Sequence, residues 1–502
     1  AQPTLPAAAP VSTPSPAAQA LPSQATGAPT PLPSFNPVSA NEIPALPPAD
    51  QAPQLPFPAY GTPAPAIESR AQAGVPQVMT LQQATLIAYA RSPALAAARA
   101  AVAIAAAPVG LARSAILPDI TGSASSTRTH RESGTATGGQ TTTTGVGPGP
   151  SWTTSNGLNV TLAQLIFDGG RVAAQLAAAR ATESSAIATY QRQLQTVGFN
   201  VATAYYNALS AQRQTQVSLA TVRLDEVQEN LVLANIRAGT EARADLASAQ
   251  LLTSQARVAV VRAQATERNQ LATFANALGL DADIAVQPKD DIPALSATSG
   301  VLQVNPAFPT PSFTQALTRA TGLRPDLVAA QQNVASLQSS LRAARLGNFP
   351  TIDGNANYGT NSTDQTGGTF RNNGSVGFTL NVPIYDRGVT RAQVAQAQGQ
   401  LEQGLANLET TRQGIGLNVR SALLNLIAAY AALTQTNAEL SKAQENLRST
   451  QAQYRAGVTT LPLLLNAQVG LTQALTDEVT AAYAVRQAEQ SLLYAEGANA
   501  AG

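Results

Sequence analysis

The chain has 502 residues, a net charge of +1 and only 12% charged residues, so it offers no basic face to a nucleic acid. It has no cysteine, which excludes disulfides and thiolate chemistry, and its one histidine, His130, sits in Ser/Thr/Gly-rich sequence and reads as a solvated loop residue. No cluster of acid, base, nucleophile or metal ligands stands out, so neither an enzyme nor a metal or cofactor site is expected. No run of 18 apolar residues occurs, so no transmembrane helix is expected either.

Residues 1–75 hold more than half of the 33 prolines and read as an extended, solvated tail. The start at Ala1-Gln2 reads as a mature end left after removal of a signal peptide, hence an exported protein. A helical pattern runs from Thr80 to about Ile116, with a kink or break expected at Pro108 and Gly110. A strand is predicted at about 118–127, a Gly/Thr/Ser-rich loop to Pro150, and a second strand at about 157–167. In that second strand Leu158, Val160 and Leu162 alternate with polar residues, and Trp152 lies near its start as an interfacial aromatic would. Gly145 to Pro150 has no following Lys-Ser/Thr and reads as a loop, not a phosphate cradle.

Phe167-Asp168-Gly169-Gly170-Arg171 then opens a long proline-free run ending at Arg237-Ala238-Gly239, with Asp168 as N-cap and Gly239 as the residue after the helix. At ~1.5 Å per residue such a rod is roughly 105 Å long. A shorter helix follows to about Leu280, completing a first repeat over 80–280, and Asp281 to Pro311 is an irregular linker with the acidic pair Asp290-Asp291.

The series then recurs over 312–497. A helix of about 35 residues reaches Gly347, strands are predicted at about 350–359 and 374–384, and a polar loop lies between them. Tyr385-Asp386-Arg387-Gly388 opens a second long run to Arg455-Ala456-Gly457, with Asp386 as its cap. A last helix reaches Glu496, and 498–502 form a short tail. Phe167 and Tyr385 are 218 positions apart, whereas Pro93 and Pro325, like Pro118 and Pro350, are 232 apart. The halves thus differ by about 14 residues, assigned to the first outer loop.

Each half reads as short helix, strand, strand, long helix, turn, short helix. The strands have one apolar and one polar face, as in a transmembrane β-barrel. Four strands leave open edges that lipid cannot satisfy. Two chains would make a barrel filled by side chains and three a water-filled one, so a homotrimer is inferred. The long helices carry moderate apolar stripes (Leu194, Val197, Val201, Tyr205; Val419, Leu423, Leu426, Tyr430), which suits the wall of a tube. A self-assembling filament protein would share the composition but needs neither the duplication nor the paired strands.

In this order, twice over, the motifs around Phe167–Arg171, Tyr385–Gly388, Arg324-Pro325-Asp326-Leu327 and Tyr454–Gly457 resemble the TolC-like outer-membrane factors from about Thr80 to Glu496. The resemblance implies a mostly α fold with a membrane β portion: a trimeric 12-stranded β-barrel continuous with a long periplasmic α-helical barrel. It implies an exit duct in the Gram-negative outer membrane, serving a tripartite efflux pump or a type I secretion system. Partners would be a periplasmic adaptor (membrane fusion protein), an inner-membrane transporter and outer-membrane lipid.

The resemblance also implies a gate at the periplasmic tip, near Arg237, Arg243, Asp245, Tyr454, Arg455 and Thr459, with Asp245 and Tyr454 matching one polar link. Arg237, Ala238, Gly239, Arg455, Ala456 and Gly457 would be the adaptor-docking turns, and Asp168 and Asp386 caps at the barrel junction. Thr459 stands where relatives have arginine, and Leu463 and Asn466 where they have a carboxylate ring. An apolar constriction of Leu461 and Leu463 is expected in its place.

Overall fold

The computed structural model describes residues 78–131, 151–290, 311–363 and 368–498. The Pro-rich tail, Gly145 to Pro150 and Asp291 lie outside these residues. In chain order, β1 (Val78–Met79) leads into α1 (Leu81–Arg91), α2 (Pro93–Ser114), β2 (Asp119–Arg131), β3 (Ser151–Phe167), α3 (Arg171–Arg237), α4 (Arg243–Ala277) and β4 (Gln287–Pro288). The second half follows as α5 (Phe313–Leu323), α6 (Pro325–Arg345), β5 (Thr351–Thr363), β6 (Arg371–Asn381), α7 (Val389–Arg455) and α8 (Leu461–Glu496).

The duplication is metrical. α3 and α7 have 67 residues each, so each spans roughly 100 Å. β2 and β5 have 13 each. α1 and α5 have 11 each and both open with a capping box, Thr80 with Gln83 and Ser312 with Gln315.

α3 packs along α2 and α6 over its first part and along α4 and α8 over its second; α7 packs likewise on α5, α6 and α8. The central core lies at mid-length, where Met79, Phe274, Tyr205 and Tyr483 are at most 1% exposed. The stripe residues Val197, Val201 and Tyr205 fall in this core, and Val419, Leu423 and Leu426 in a second one.

The first helical stretch of each half breaks at Ser92 and Arg324, not at Pro108. Both residues precede a proline and are extended (ψ 120° and 116°), which leaves Pro93 and Pro325 to open the next helix. α2 continues through Pro108 at the loss of one backbone bond. The second break is locked. Arg324 forks onto Asp326 and reaches the Ala495 carbonyl, while the Gln195 amide donates to the Gly497 carbonyl at 2.5 Å. Arg192 lies 3.8 Å over the Tyr494 ring, which stacks on Phe199. The Arg-Pro-Asp motif thus seats the end of α8.

The linker is not wholly irregular: β4 pairs in parallel with β1. Asp290 accepts from Arg213 of α3 (2.6 Å) and from the Tyr483 hydroxyl of α8 (3.0 Å), so it fastens the linker to the rods. By length and composition alone, α2 and a window of α7 are apolar enough to cross a membrane, contrary to expectation, although neither holds 18 apolar residues in a row.

Candidate functional site

The four longer strands form one antiparallel sheet in the order β2-β3-β5-β6. β2, β3 and β5 are longer than expected, and β6 keeps its expected length but is shifted three residues toward the outer loop. β2 runs on to Arg131, β3 starts at Ser151, β5 reaches Thr363 and β6 begins at Arg371. The added residues are mostly Ser, Thr and Asn, and pair through backbone bonds that hydrophobic alternation does not report. β6 stops at Asn381, before Pro383. His130 is therefore a strand residue, not a loop one, with its ring 4.5 Å from that of Trp152.

Register pairs even-numbered residues with even ones: Leu162 with Ile120 and Ala356, and Ala356 with Val376. The even face carries Ile120, Trp152, Leu158, Val160, Tyr358, Val376, Phe378 and Leu380, every one more than half exposed. The odd face carries mainly Thr, Ser and Asn, with charged residues such as Asp119, Asp353 and Arg371 among them. One side therefore suits hydrocarbon and the other water. β2 and β6 each keep one edge unpaired within the chain.

Between sheet and rods, Gly170 and Gly388 hold the N-cap positions expected of Asp168 and Asp386, with φ of 90° and 83°. The aspartates still do the capping. Asp168 accepts from the amides of Gly170 (2.9 Å) and Val172 (2.6 Å), and Asp386 from those of Gly388 (2.9 Å) and Thr390 (2.7 Å). Hydrogen bonds from Thr390 and Gly388 hold the Asp386 carboxyl below its usual range.

At the opposite end both hairpins turn the same way. Gly239 and Gly457 have φ of 79° and 71°. The amides of Thr240 and Val458 reach back to the carbonyls of Asn235 and Gln453 at 3.0 and 2.9 Å. These are Schellman turns, which require glycine. Arg237, Ala238, Gly239, Arg455, Ala456 and Gly457 are all exposed. One small core ties the two turns together: Val232 and Ala249 of the first hairpin against Leu447, Leu461 and Leu464 of the second, with Tyr454 packed against it.

Leu461 is 3% exposed inside this core, so it cannot line a lumen; the faces of α8 are set by its helical neighbours. Leu463 is 52% exposed, and Arg243 and Asn466 are exposed as well. Among the described residues no hydrogen bond joins Asp245 to Tyr454, whose buried hydroxyl has no partner.

Sequence reading missed Glu241, which the 218-residue offset sets opposite Thr459. Burial, with the Asp245 charge nearby, raises its carboxyl above the usual value against a hydrogen bond from Asn235. Sequence reading also missed a buried polar seam further along the rods. Thr221 meets Thr472 at 3.3 Å and Gln214 meets Thr480 at 3.4 Å. Stepping that antiparallel register toward the tip sets Asp225 opposite Gln468. Asp225, Gln228 and Gln468 are 3%, 6% and 2% exposed, and each keeps a side-chain atom without a partner among the described residues. Burial pushes the Asp225 carboxyl up to about 6.

A duplicated pair of rods with an amphipathic sheet at one end and glycine turns at the other has known counterparts. The family model described as outer membrane efflux protein matches residues 84–280 and 316–498, in both halves. Protein CyaE of Bordetella pertussis is 27% identical over 425 residues, covering 84% of each chain. Outer membrane efflux protein BepC of Brucella suis is 26% identical over 419 residues, covering 82% of this chain and 85% of that one. The fold is similar to that of the outer-membrane channel OprN, with a TM-score of 0.70 at 20% identity over 84% of this chain and 91% of that one. The chain belongs to the outer membrane efflux protein family, channels of the Gram-negative outer membrane with a large helical portion in the periplasm.

Proposed function

We propose that three copies of this chain close a 12-stranded barrel over a helical tube. The assembly is the passive exit duct of a tripartite efflux pump or type I secretion system, loaded by an inner-membrane transporter through a periplasmic adaptor. One observation carries this reading: a four-stranded sheet, apolar on one face and polar on the other, with β2 and β6 unpaired at its edges. Hydrocarbon does not tolerate such edges, so other copies must pair them, and twelve strands are the smallest multiple that leaves a wet lumen. The exposed Ile104 (73%) and Leu111 (71%) of α2 supply apolar surface for a neighbouring copy. The adaptor would dock on the exposed Arg-Ala-Gly turns.

Gating belongs to the tip. Glu241 stands just before α4 and Asp245 in its first turn, and Leu463 is the exposed apolar side chain available for a constriction. Asp245 and Tyr454 would couple across the closed tip, a link that requires the Tyr454 hydroxyl, buried in the single chain, to turn out of the tip core.

Native mass spectrometry of detergent-solubilised protein should give three chains, and planar bilayers a single channel population. Asp245→Ala and Tyr454→Phe should each raise conductance. A detergent-free soluble monomer would end the duct reading; wild-type conductance in both variants would end the gate assignment alone.

A further inference from the structure

The outer rim of the sheet holds a feature that conduction and gating leave unused. Five charged residues lie in the four strands: Asp119, Arg128, Arg131, Asp353 and Arg371. Four are odd-numbered and fall on the polar face by register. Arg128 alone falls on the apolar one, near the loop end of β2. Its guanidinium carbon lies 4.8 Å over the ring of Trp152, the chain's one tryptophan, and His130 stands against the same ring at 4.5 Å. All three side chains are exposed.

Position explains how such a charge is tolerated. From Leu162 to Trp152 the tilted strand rises roughly 25 Å, the height of a barrel's apolar band. A cation on the lipid side is costly at mid-depth and cheap at the rim, where an indole also settles among headgroups. No carboxylate stands on the even face of any of the four strands, so a neighbouring copy's strand brings none either. The rods extend into the periplasm, which puts this end of the sheet in the outer leaflet.

We propose that Arg128, His130 and Trp152 form a binding site for the phosphorylated headgroup of an outer-leaflet lipid. The guanidinium would fork two N–H donors onto phosphate oxygens, the imidazole would add a third donor, and the indole would lie along the first carbons of the lipid. The inference rests on the even face meeting lipid, part of the barrel reading above.

Because Trp152 is the sole tryptophan, its emission reports on the site. The full chain in detergent would be titrated with bisphosphorylated lipid A, with the same lipid dephosphorylated, and with inorganic phosphate. A saturable change with the phosphorylated lipid alone is expected. Arg128→Gln should weaken it about tenfold or more, the loss of a charge-assisted bidentate contact. Arg128→Lys, the variant to use should the first fail to assemble, should weaken it about threefold, since an ammonium cannot fork. Arg371→Gln, on the polar face, should leave the curve unchanged.

Wild-type titration by Arg128→Gln, or an equal response to dephosphorylated lipid or free phosphate, overturns the site. So does tighter binding by Glu132→Gln, because Glu132 is the only carboxylate in the sequence from 132 to 150 and would then hold Arg128 in the native chain. Brominated detergent separates the two levels. Quenching of Trp152 supports its place on the lipid side; no quenching refutes the face assignment, not the chemistry of the site.

Discussion

Replacing Asp225 with asparagine should stabilise the lower rods, and only above mildly acidic pH. Asp225 is 3% exposed within the single chain, so no neighbouring copy can reach it, and the nearby Arg257 of α4 bonds Glu226 instead. Burial without a compensating charge moves its carboxyl from 3.8 to about 6. A shift of about two pH units is worth ~3 kcal/mol at ~1.36 kcal/mol per unit. The folded value lies above the unfolded one, so well below pH 3.8 the acid is neutral in both states and full stability is present. Stability is then lost as pH rises toward 6, and above it the buried charge costs the whole ~3 kcal/mol.

Asparagine keeps the shape, drops the charge and can exchange bonds with the amides of Gln228 and Gln468. Hydrogen exchange of the segments around 225 and 468, corrected for intrinsic rates, should show nearly equal protection at about pH 3. Near pH 8 the variant should be about 100-fold more protected. A variant-to-native ratio that stays flat across this range would refute the argument.

Asp168→Ala should cost about 1 kcal/mol by freeing the Gly170 and Val172 amides, seen as a lower denaturant midpoint and faster exchange in the first turn of α3. Gly497→Ala should cost more. Its φ is +82°, a conformation about 1–2 kcal/mol uphill for alanine, and the new Cβ would stand 2.9 Å from the Arg324 amide nitrogen. Trypsin should then cut after Arg319, whose partner Glu496 adjoins Gly497, a bond that the native chain protects. Arg213→Ala takes the Arg213 guanidinium from the Asp290 carboxylate, which keeps the Tyr483 hydroxyl, at about 2 kcal/mol, and should expose Lys289 to the same protease. The Asp386 cap is present at neutral pH and should fail as pH falls from 3.8 through its lowered value, read as exchange in the first turn of α7.

The rods were readable in the sequence because two local signals agree, the long proline-free run and the glycine after it. β6 was readable because Val376, Phe378 and Leu380 alternate cleanly with polar neighbours. The upper half of β2 was not, since Ser123 to Arg131 has no apolar contrast and is held by its ladder with β3. Both prolines were misread: a break was expected at Pro108, which α2 carries in its body, and none at Pro93, before which Ser92 has turned extended. Leu461 was misplaced because which side of α8 is buried depends on helices far away in sequence. The Asp225–Gln468 seam needs a register across some 240 residues, which no local pattern carries. Glu241 was within reach, as the repeat mate of Thr459.

The bare margins of β2 and β6 bear on biogenesis as much as on architecture. A lone copy has nowhere to settle in a bilayer, because its outermost amides and carbonyls would meet oil. On the proposed three-chain barrel, insertion is a meeting of chains, and its speed should climb steeply with how many copies are present at once. Scarce expression would leave stranded subunits in the periplasm, well folded along their rods and waiting for company.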